Sequence, residues 1–209
     1  MSDCKAGKTS LNFGGMIRLG IILALYSAVA CVGLAFVYTG TLDIIDQRQK
    51  EDMDRALLIL FPDADKFEAI SGISSQDPAV AIEEGYAVFK GGELIGLTFR
   101  TSRISFSGPI VILAGIGVDR RISGIHILQN IDTPGLGSNA NSRNFYVDRA
   151  RGIRFYEQFA GKSIRDPFIP KQDVIVITAA TITSRAVADS VKAAGEAAQA
   201  WFDAQGVSR

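Results

Sequence analysis

The chain begins with an apolar segment that is long enough to cross a membrane. Residues 19–38 include no charged side chain, and a helix of that length spans about 30 Å of hydrocarbon. Three basic residues and one acidic residue precede the segment, whereas a mixed run of both signs follows it. The positive-inside rule therefore predicts that residues 1–18 form a cytoplasmic tail, that residues 19–38 form a transmembrane helix in the inner (cytoplasmic) membrane, and that the remainder lies outside the cytoplasm, in a periplasmic or extracellular location.

Two other interpretations of this segment involve cleavage. The small residues Ala28-Val29-Ala30 are typical of a signal-peptide cleavage site, and Cys31 could carry a lipid. Both are less consistent with the sequence, because the apolar run continues without a break through Phe36 and Val37. We therefore expect an uncleaved anchor.

The pattern after residue 38 predicts a stalk and one α+β domain. Residues 39–62 read as a helix stopped by Pro62, and residues 63–209 have the size of a single domain. Alternating apolar positions and turn residues predict an antiparallel sheet built from two hairpins. The predicted strands are Tyr86–Lys90 and Glu93–Arg100 around Gly91-Gly92, and Ile110–Val118 and Ile122–Leu128 around Asp119–Arg121.

Helices are predicted to flank this sheet. Residues 149–160 read as a helix, and residues 174–177 as a short strand. A last helix, starting near Ser184 with Thr183 or Ser184 as its N-cap, presents apolar residues at three- and four-residue intervals. Those residues are Val187, Val191, Ala194, Ala198 and Trp201.

Composition removes several classes of function. From Asp43 onwards there are 19 basic and 21 acidic residues, so the charge does not indicate nucleic-acid binding. Cys4 would lie in the tail and Cys31 in the bilayer, which leaves no cysteine outside the cytoplasm for a disulfide or an iron–sulfur centre. His126 is the only histidine and is expected to be structural, and we find no nucleophile elbow, Walker loop or metal-ligand cluster.

Two short motifs carry the chemistry. Residues 178–183 read Thr-Ala-Ala-Thr-Ile-Thr and come directly before the last helix, whose N-terminal N–H groups favour a phosphate. Residues 132–137 read Asp-Thr-Pro-Gly-Leu-Gly, a loop whose glycines let the backbone approach a flat ring.

Together these motifs resemble the FMN-binding subunit of the Rnf and Nqr ion-translocating electron-transport complexes, of the RnfG and NqrC type. The resemblance implies FMN esterified through its phosphate to the hydroxyl of Thr181. It also implies a site in which Thr178, Ala180 and Thr183 surround the phosphate, while Asp132, Thr133, Gly135, Leu136 and Gly137 line the ring or its phosphate. Departures from the family pattern are Ala179 where the family has Gly, Ile175 where it usually has Asp, and Asp132 where it has Glu.

The resemblance further implies an electron carrier rather than an independent enzyme. Expected partners are other subunits of a Rnf-type ferredoxin:NAD+ oxidoreductase, including a second FMN-carrying membrane subunit and iron–sulfur subunits, and a flavin transferase for maturation. The chain length favours the Rnf type over the Nqr-type NADH:quinone reductase. A flavin-free anchored assembly or sensor module of the same fold is an alternative, and a reductase acting alone is less favoured because no acid or base stands beside the motifs.

Overall fold

A computed structural model describes residues 13–206 of the chain. Most of the predicted tail, including Cys4 and two of the three basic residues on which its orientation depends, lies outside the described residues. The chain divides into two compact units between Lys50 and Glu51.

The first helix, α1, runs from Phe13 to Leu60 without a break. It covers the predicted transmembrane segment and nearly all of the predicted stalk, and it ends two residues before Pro62, where the sequence predicts a stop. Within residues 13–206 it is the one helix that is long and apolar enough to cross a membrane.

The second unit contains a five-stranded antiparallel sheet in the order β1-β2-β3-β4-β5. Each strand pairs with the next along the chain, so the connections are hairpins or short turns. The strands are β1 Lys66–Ile70, β2 Val80–Lys90, β3 Glu93–Ile104, β4 Pro109–Gly117 and β5 Ile122–Gln129. The predicted α+β class with an antiparallel sheet is confirmed.

Turn chemistry and burial explain why both predicted hairpins form. Gly91 and Gly92 join β2 to β3 with φ of 58° and 85°, the left-handed values that a two-residue hairpin loop requires. Strand β4 lies in the middle of the sheet's buried half, and every residue from Ile110 to Ile116 is buried. It therefore reads as a continuous apolar run instead of an alternating one.

The sheet is covered on both faces within this unit. One face packs on α2, which spans Thr181–Ala204, and the predicted apolar stripe is confirmed because Val187, Val191, Ala194 and Ala198 are fully buried. The opposite face packs on the last turns of α1, where Leu60 and Phe61 join a second apolar cluster.

Glycines on that second face admit the end of α1. A Cβ on Gly96 would lie 2.6 Å from Cζ of Phe61, and one on Gly115 would lie 3.0 Å from Cε2 of the same ring. A Cβ on Gly124 would meet Leu60 at 3.2 Å. The glycines thus let the residues that follow the stalk rest directly on the sheet.

Two predicted elements between the sheet and α2 are wrong. The segment predicted as a helix over 149–160 contains a short strand, β7 (Ile153–Arg154), which pairs with β6 (Tyr146–Asp148), and a 3-10 helix of four residues, Tyr156–Phe159. The helical pattern fails because Asp148 Oδ1 accepts a hydrogen bond from the backbone N–H of Arg151 (3.1 Å) and closes a turn. Gly152 then adopts a φ of 69°, which a helix cannot accommodate.

The predicted strand 174–177 is also wrong. Val174 makes an isolated bridge with Pro170, and the segment joins neither sheet. Its backbone is satisfied by side chains instead. Gln158 holds both the N–H (2.7 Å) and the carbonyl (3.1 Å) of Ile175, while the N–H of Ile177 donates to Ser184 Oγ (3.0 Å).

Candidate functional site

The two motifs meet at a cavity of about 310 Å³ beside the N-terminus of α2. This volume lies at the lower end of the range of small-molecule sites. The cavity is lined by Phe106, Asp132, Thr133, Leu136, Gly137, Ala179, Ala180, Thr181, Ile182 and Thr183. The sequence predicts most of this set, although the two motifs are separated by some forty residues.

Helix α2 begins at Thr181, three residues earlier than predicted. Ala180 is its N-cap, with no hydrogen bond from a capping side chain. The predicted caps Thr183 and Ser184 are wrong because their hydroxyls are used elsewhere. Ser184 Oγ donates to the carbonyl of Ala180 (2.9 Å) and accepts from the N–H of Ile177, whereas Thr183 points toward the loop.

The start of α2 offers unpaired donors beside one free hydroxyl. Among the described residues, the backbone N–H groups of Thr181, Ile182 and Thr183 have no hydrogen-bond acceptor. Thr181 is exposed, lines the cavity, and its hydroxyl has no partner within residues 13–206. Such an arrangement suits a phosphate, since the free N–H groups and the helix dipole both favour an anion.

Asp132 ties three segments together beneath the cavity. Its Oδ2 accepts hydrogen bonds from the hydroxyls of Thr183 (2.6 Å) and Ser105, and its Oδ1 accepts one from the backbone N–H of Ser107 (2.8 Å). The residue is 5% exposed. It therefore joins its own loop to the turn between β3 and β4 and to the first turn of α2.

The charge of Asp132 is stabilised by these contacts. Burial alone would raise the pKa of the Asp132 carboxyl, but the hydrogen bonds that it accepts outweigh burial and lower the pKa below its usual value. The group is thus an ionised acceptor, and the hydroxyl protons of Thr183 and Ser105 must both point toward it.

The loop 132–137 is closed by its own polar contacts. Asn130 accepts a hydrogen bond from the N–H of Asp132 (3.0 Å) and donates one to the carbonyl of Gly137 (3.0 Å), which fixes both ends of the loop. Asn139 donates to the carbonyl of Gly135 (2.7 Å). The loop is therefore a prearranged turn.

The two glycines of the loop have different reasons to be glycine. Gly137 is buried, and a Cβ there would lie 2.6 Å from Cβ of Asp132 and would also meet the Thr183 hydroxyl. Gly135 has open space around it but a φ of 79°, which disfavours any residue with a Cβ. Gly137 permits a close approach within the site, and Gly135 permits the turn.

Ala179 adopts a left-handed conformation with a φ of 60°. The resembled family has glycine at this position, and glycine adopts such a φ without a Cβ penalty. The substitution in this chain is therefore a strained one. Strain of this kind persists where the surroundings fix the backbone, which here runs directly into the N-cap of α2.

Two predicted site residues lie outside the cavity, and others were not predicted. Thr178 and Gly135 do not line it, while Phe106, Ala179 and Ile182 do. Phe106 sits on the turn between β3 and β4, where no motif singles it out. Asp132 does line the cavity, but its carboxylate is occupied by the protein's own donors.

His126 lies away from this site, half-buried on β5, where it lines a separate cavity with Arg143 and Tyr156. It is on the face of β5 opposite the buried Ile125 and Ile127, as the alternation predicts. Burial and the nearby Arg143 lower the pKa of the His126 imidazole. A neutral histidine is consistent with the expected structural role.

Known proteins match the chain in sequence. The FMN-binding domain family matches residues 105–196. The RnfG-type subunit of the Na(+)-translocating ferredoxin:NAD(+) oxidoreductase complex of Acetobacterium woodii is 30% identical over 201 residues, which cover 88% of this chain and 92% of that protein. The corresponding subunit of the ion-translocating oxidoreductase complex of Methanosarcina acetivorans is 29% identical over 180 residues, or 83% and 89% of the two chains.

A solved structure, that of NqrC from Shewanella oneidensis, is also similar. It is 16% identical, with a TM-score of 0.47, over 71% of this chain and 74% of that one.

Proposed function

The chain belongs to the RnfG family of ion-translocating oxidoreductase complexes, and we propose that it relays electrons in a Rnf-type ferredoxin:NAD+ oxidoreductase through FMN esterified to Thr181. The FMN-binding domain match covers both the Asp132 loop and Thr181. The chain is in this sense a redox subunit of an oxidoreductase complex and has no independent activity.

One observation carries the choice of Thr181. Its hydroxyl is exposed, faces the cavity and has no partner among the described residues, and it stands next to three backbone N–H groups that lack acceptors. A phosphate at this position would be held by those N–H groups and by the helix dipole.

The other hydroxyls of the motif are less suited to the ester. Thr183 is 1% exposed, and its hydroxyl donates to Asp132. Thr178 is exposed but does not line the cavity. The motif thus contains three threonines but presents a single one to a ligand in the cavity.

The residues of the cavity fit a flavin by chemical type. FMN would supply electron transfer in one- or two-electron steps. Leu136, Ile182 and Ala180 provide apolar walls that would bind a flat ring and exclude water, and Asp132 holds the loop and the helix at a fixed separation. An ester bond also prevents loss of the nucleotide to a compartment in which it is dilute.

Location and partners follow from the family and the anchor. We infer that α1 holds the protein in the cytoplasmic membrane with residues 1–18 inside, and that the FMN domain lies outside the cytoplasm. Its partners would be the other members of the complex, among them a second FMN-carrying membrane subunit and iron–sulfur subunits, and its maturation would need an exported flavin transferase. The relatives reported above are RnfG-type components of such complexes, which supports the Rnf type over the Nqr type.

The flavin ester is tested by co-expressing the full chain with a flavin transferase. The denatured chain should give a fluorescent band, and a peptide containing Thr181 should gain the mass of FMN less water. Thr181→Ala should abolish both signals, Thr181→Ser should keep part of them because the hydroxyl survives, and Thr178→Ala, the matched control, should leave them unchanged. Fluorescence that persists in Thr181→Ala would exclude this attachment, and a colourless native chain would favour the flavin-free module.

Topology is tested separately in sealed, right-side-out membranes. Added protease should digest the FMN domain and spare a fragment of about forty residues, a length set by the bilayer. A soluble mature chain that starts after residue 30 would contradict the anchor.

A further inference from the structure

Phe106 is an aromatic side chain left in solvent at the edge of the cavity. It is 69% exposed and lies on the turn that joins β3 to β4, yet it lines the same cavity as Thr181. A large apolar side chain in this position forgoes the burial that normally stabilises it. Exposed aromatic residues at the mouth of a mostly apolar pocket are typical of ligand contacts.

The turn that carries Phe106 is held in place. The N–H of Ser105 donates to the carbonyl of Gly108 (2.8 Å), and Asp132 accepts hydrogen bonds from the Ser105 hydroxyl and the Ser107 N–H. The residues on both sides of Phe106 are therefore anchored to the carboxylate that also binds Thr183. The position of Phe106 relative to the start of α2 is fixed by this shared partner.

We propose that Phe106 is a contact residue for the flavin ring, forming a wall of the site that neither motif contains. The inference rests on the proposed function, because the ring in question is that of FMN carried on Thr181. Leu136 and Ile182, 40% and 55% exposed, line the same cavity, so a ring that enters it meets apolar side chains from three segments of the chain. An aromatic side chain favours an offset or edge contact with a second ring.

Ile104 supplies a matched control. It precedes the same turn, is also 69% exposed, and does not line the cavity. Because both side chains are in solvent, tryptophan at either position should be tolerated without repacking. Indole quenches flavin fluorescence by electron transfer only when the two rings are in or near contact.

The experiment compares Phe106→Trp with Ile104→Trp in the full-length flavinylated chain, with emission measured in the folded state and after denaturation. The native Trp201 is common to both variants. The folded Phe106→Trp protein should be several-fold dimmer than wild type and should recover on denaturation, whereas Ile104→Trp should match wild type. Equal quenching in the two variants, or none in either, would overturn the inference while leaving the ester at Thr181 intact.

A second measurement avoids the introduced indole. Phe106→Ala should increase quenching of the flavin by iodide several-fold, Phe106→Tyr should restore protection, and Ile104→Ala should have no effect. Iodide access that is unchanged in Phe106→Ala would overturn the proposed contact. A wild-type chain that carries no flavin would refute the proposed function, and the inference with it.

Discussion

Replacing Ala179 with glycine should stabilise this protein, although alanine-to-glycine changes usually destabilise. Ala179 has a φ of 60°, and its side chain is exposed. Removing the Cβ therefore relieves backbone strain without removing buried apolar surface. The substitution also restores the residue that the resembled family has at this position.

The magnitude follows from two opposing terms. A left-handed conformation costs a residue with a Cβ about 1–2 kcal/mol. Glycine in the unfolded chain costs about 0.4–1 kcal/mol because it has more conformations to lose. The balance for Ala179→Gly is a stabilisation of roughly 0.5–1 kcal/mol, which raises the melting temperature of a domain of this size by about 2–4 °C per kcal/mol.

Urea unfolding of the full chain in detergent, followed by the fluorescence of the single tryptophan, Trp201, measures this difference. Ala200→Gly is the control, because Ala200 is an exposed position inside α2, and glycine there should cost about 1 kcal/mol. The two substitutions should move the midpoint in opposite directions, and Ala179→Gly should leave the flavin content unchanged. A fall in midpoint for both variants would show that residue 179 is not in the left-handed region.

Two further predictions concern the loop beneath the cavity. Gly137→Ala should cost roughly 1–3 kcal/mol by overpacking and should lower flavin incorporation, because its Cβ would collide with Asp132 and Thr183; Gly135→Ala should show only the backbone penalty in unfolding and normal incorporation, and equal incorporation in both would contradict the distinction. The lowered pKa of Asp132 means that its contribution is complete above the unfolded pKa of about 3.9 and is lost as pH falls through the folded pKa. The gap in unfolding free energy between wild type and Asp132→Asn should accordingly be constant near neutral pH and shrink in acid, whereas a gap that stays constant down to pH ~3 would refute the role of the ionised form.

The sheet was predictable because its signals are local. Gly91-Gly92 supplies two residues that tolerate positive φ, and the unbroken apolar run of β4 follows from burial on both faces. The segment between the sheet and α2 was not predictable from periodicity, because side chains distant in sequence fix it. Gln158, for example, replaces strand partners for the backbone of Ile175 across seventeen residues.

The site divides in a similar way, which explains what the motifs could and could not indicate. Thr181 faces outward to the cavity and reads as a ligand residue, and the structure leaves it free to act as one. Asp132 and Thr183 belong to the same motifs but face each other, so their identities maintain the distance between loop and helix. Asp132 also positions the turn that bears Phe106. A residue whose place is set through a carboxylate 26 positions away carries no local pattern, and only the folded chain brings it to the flavin site.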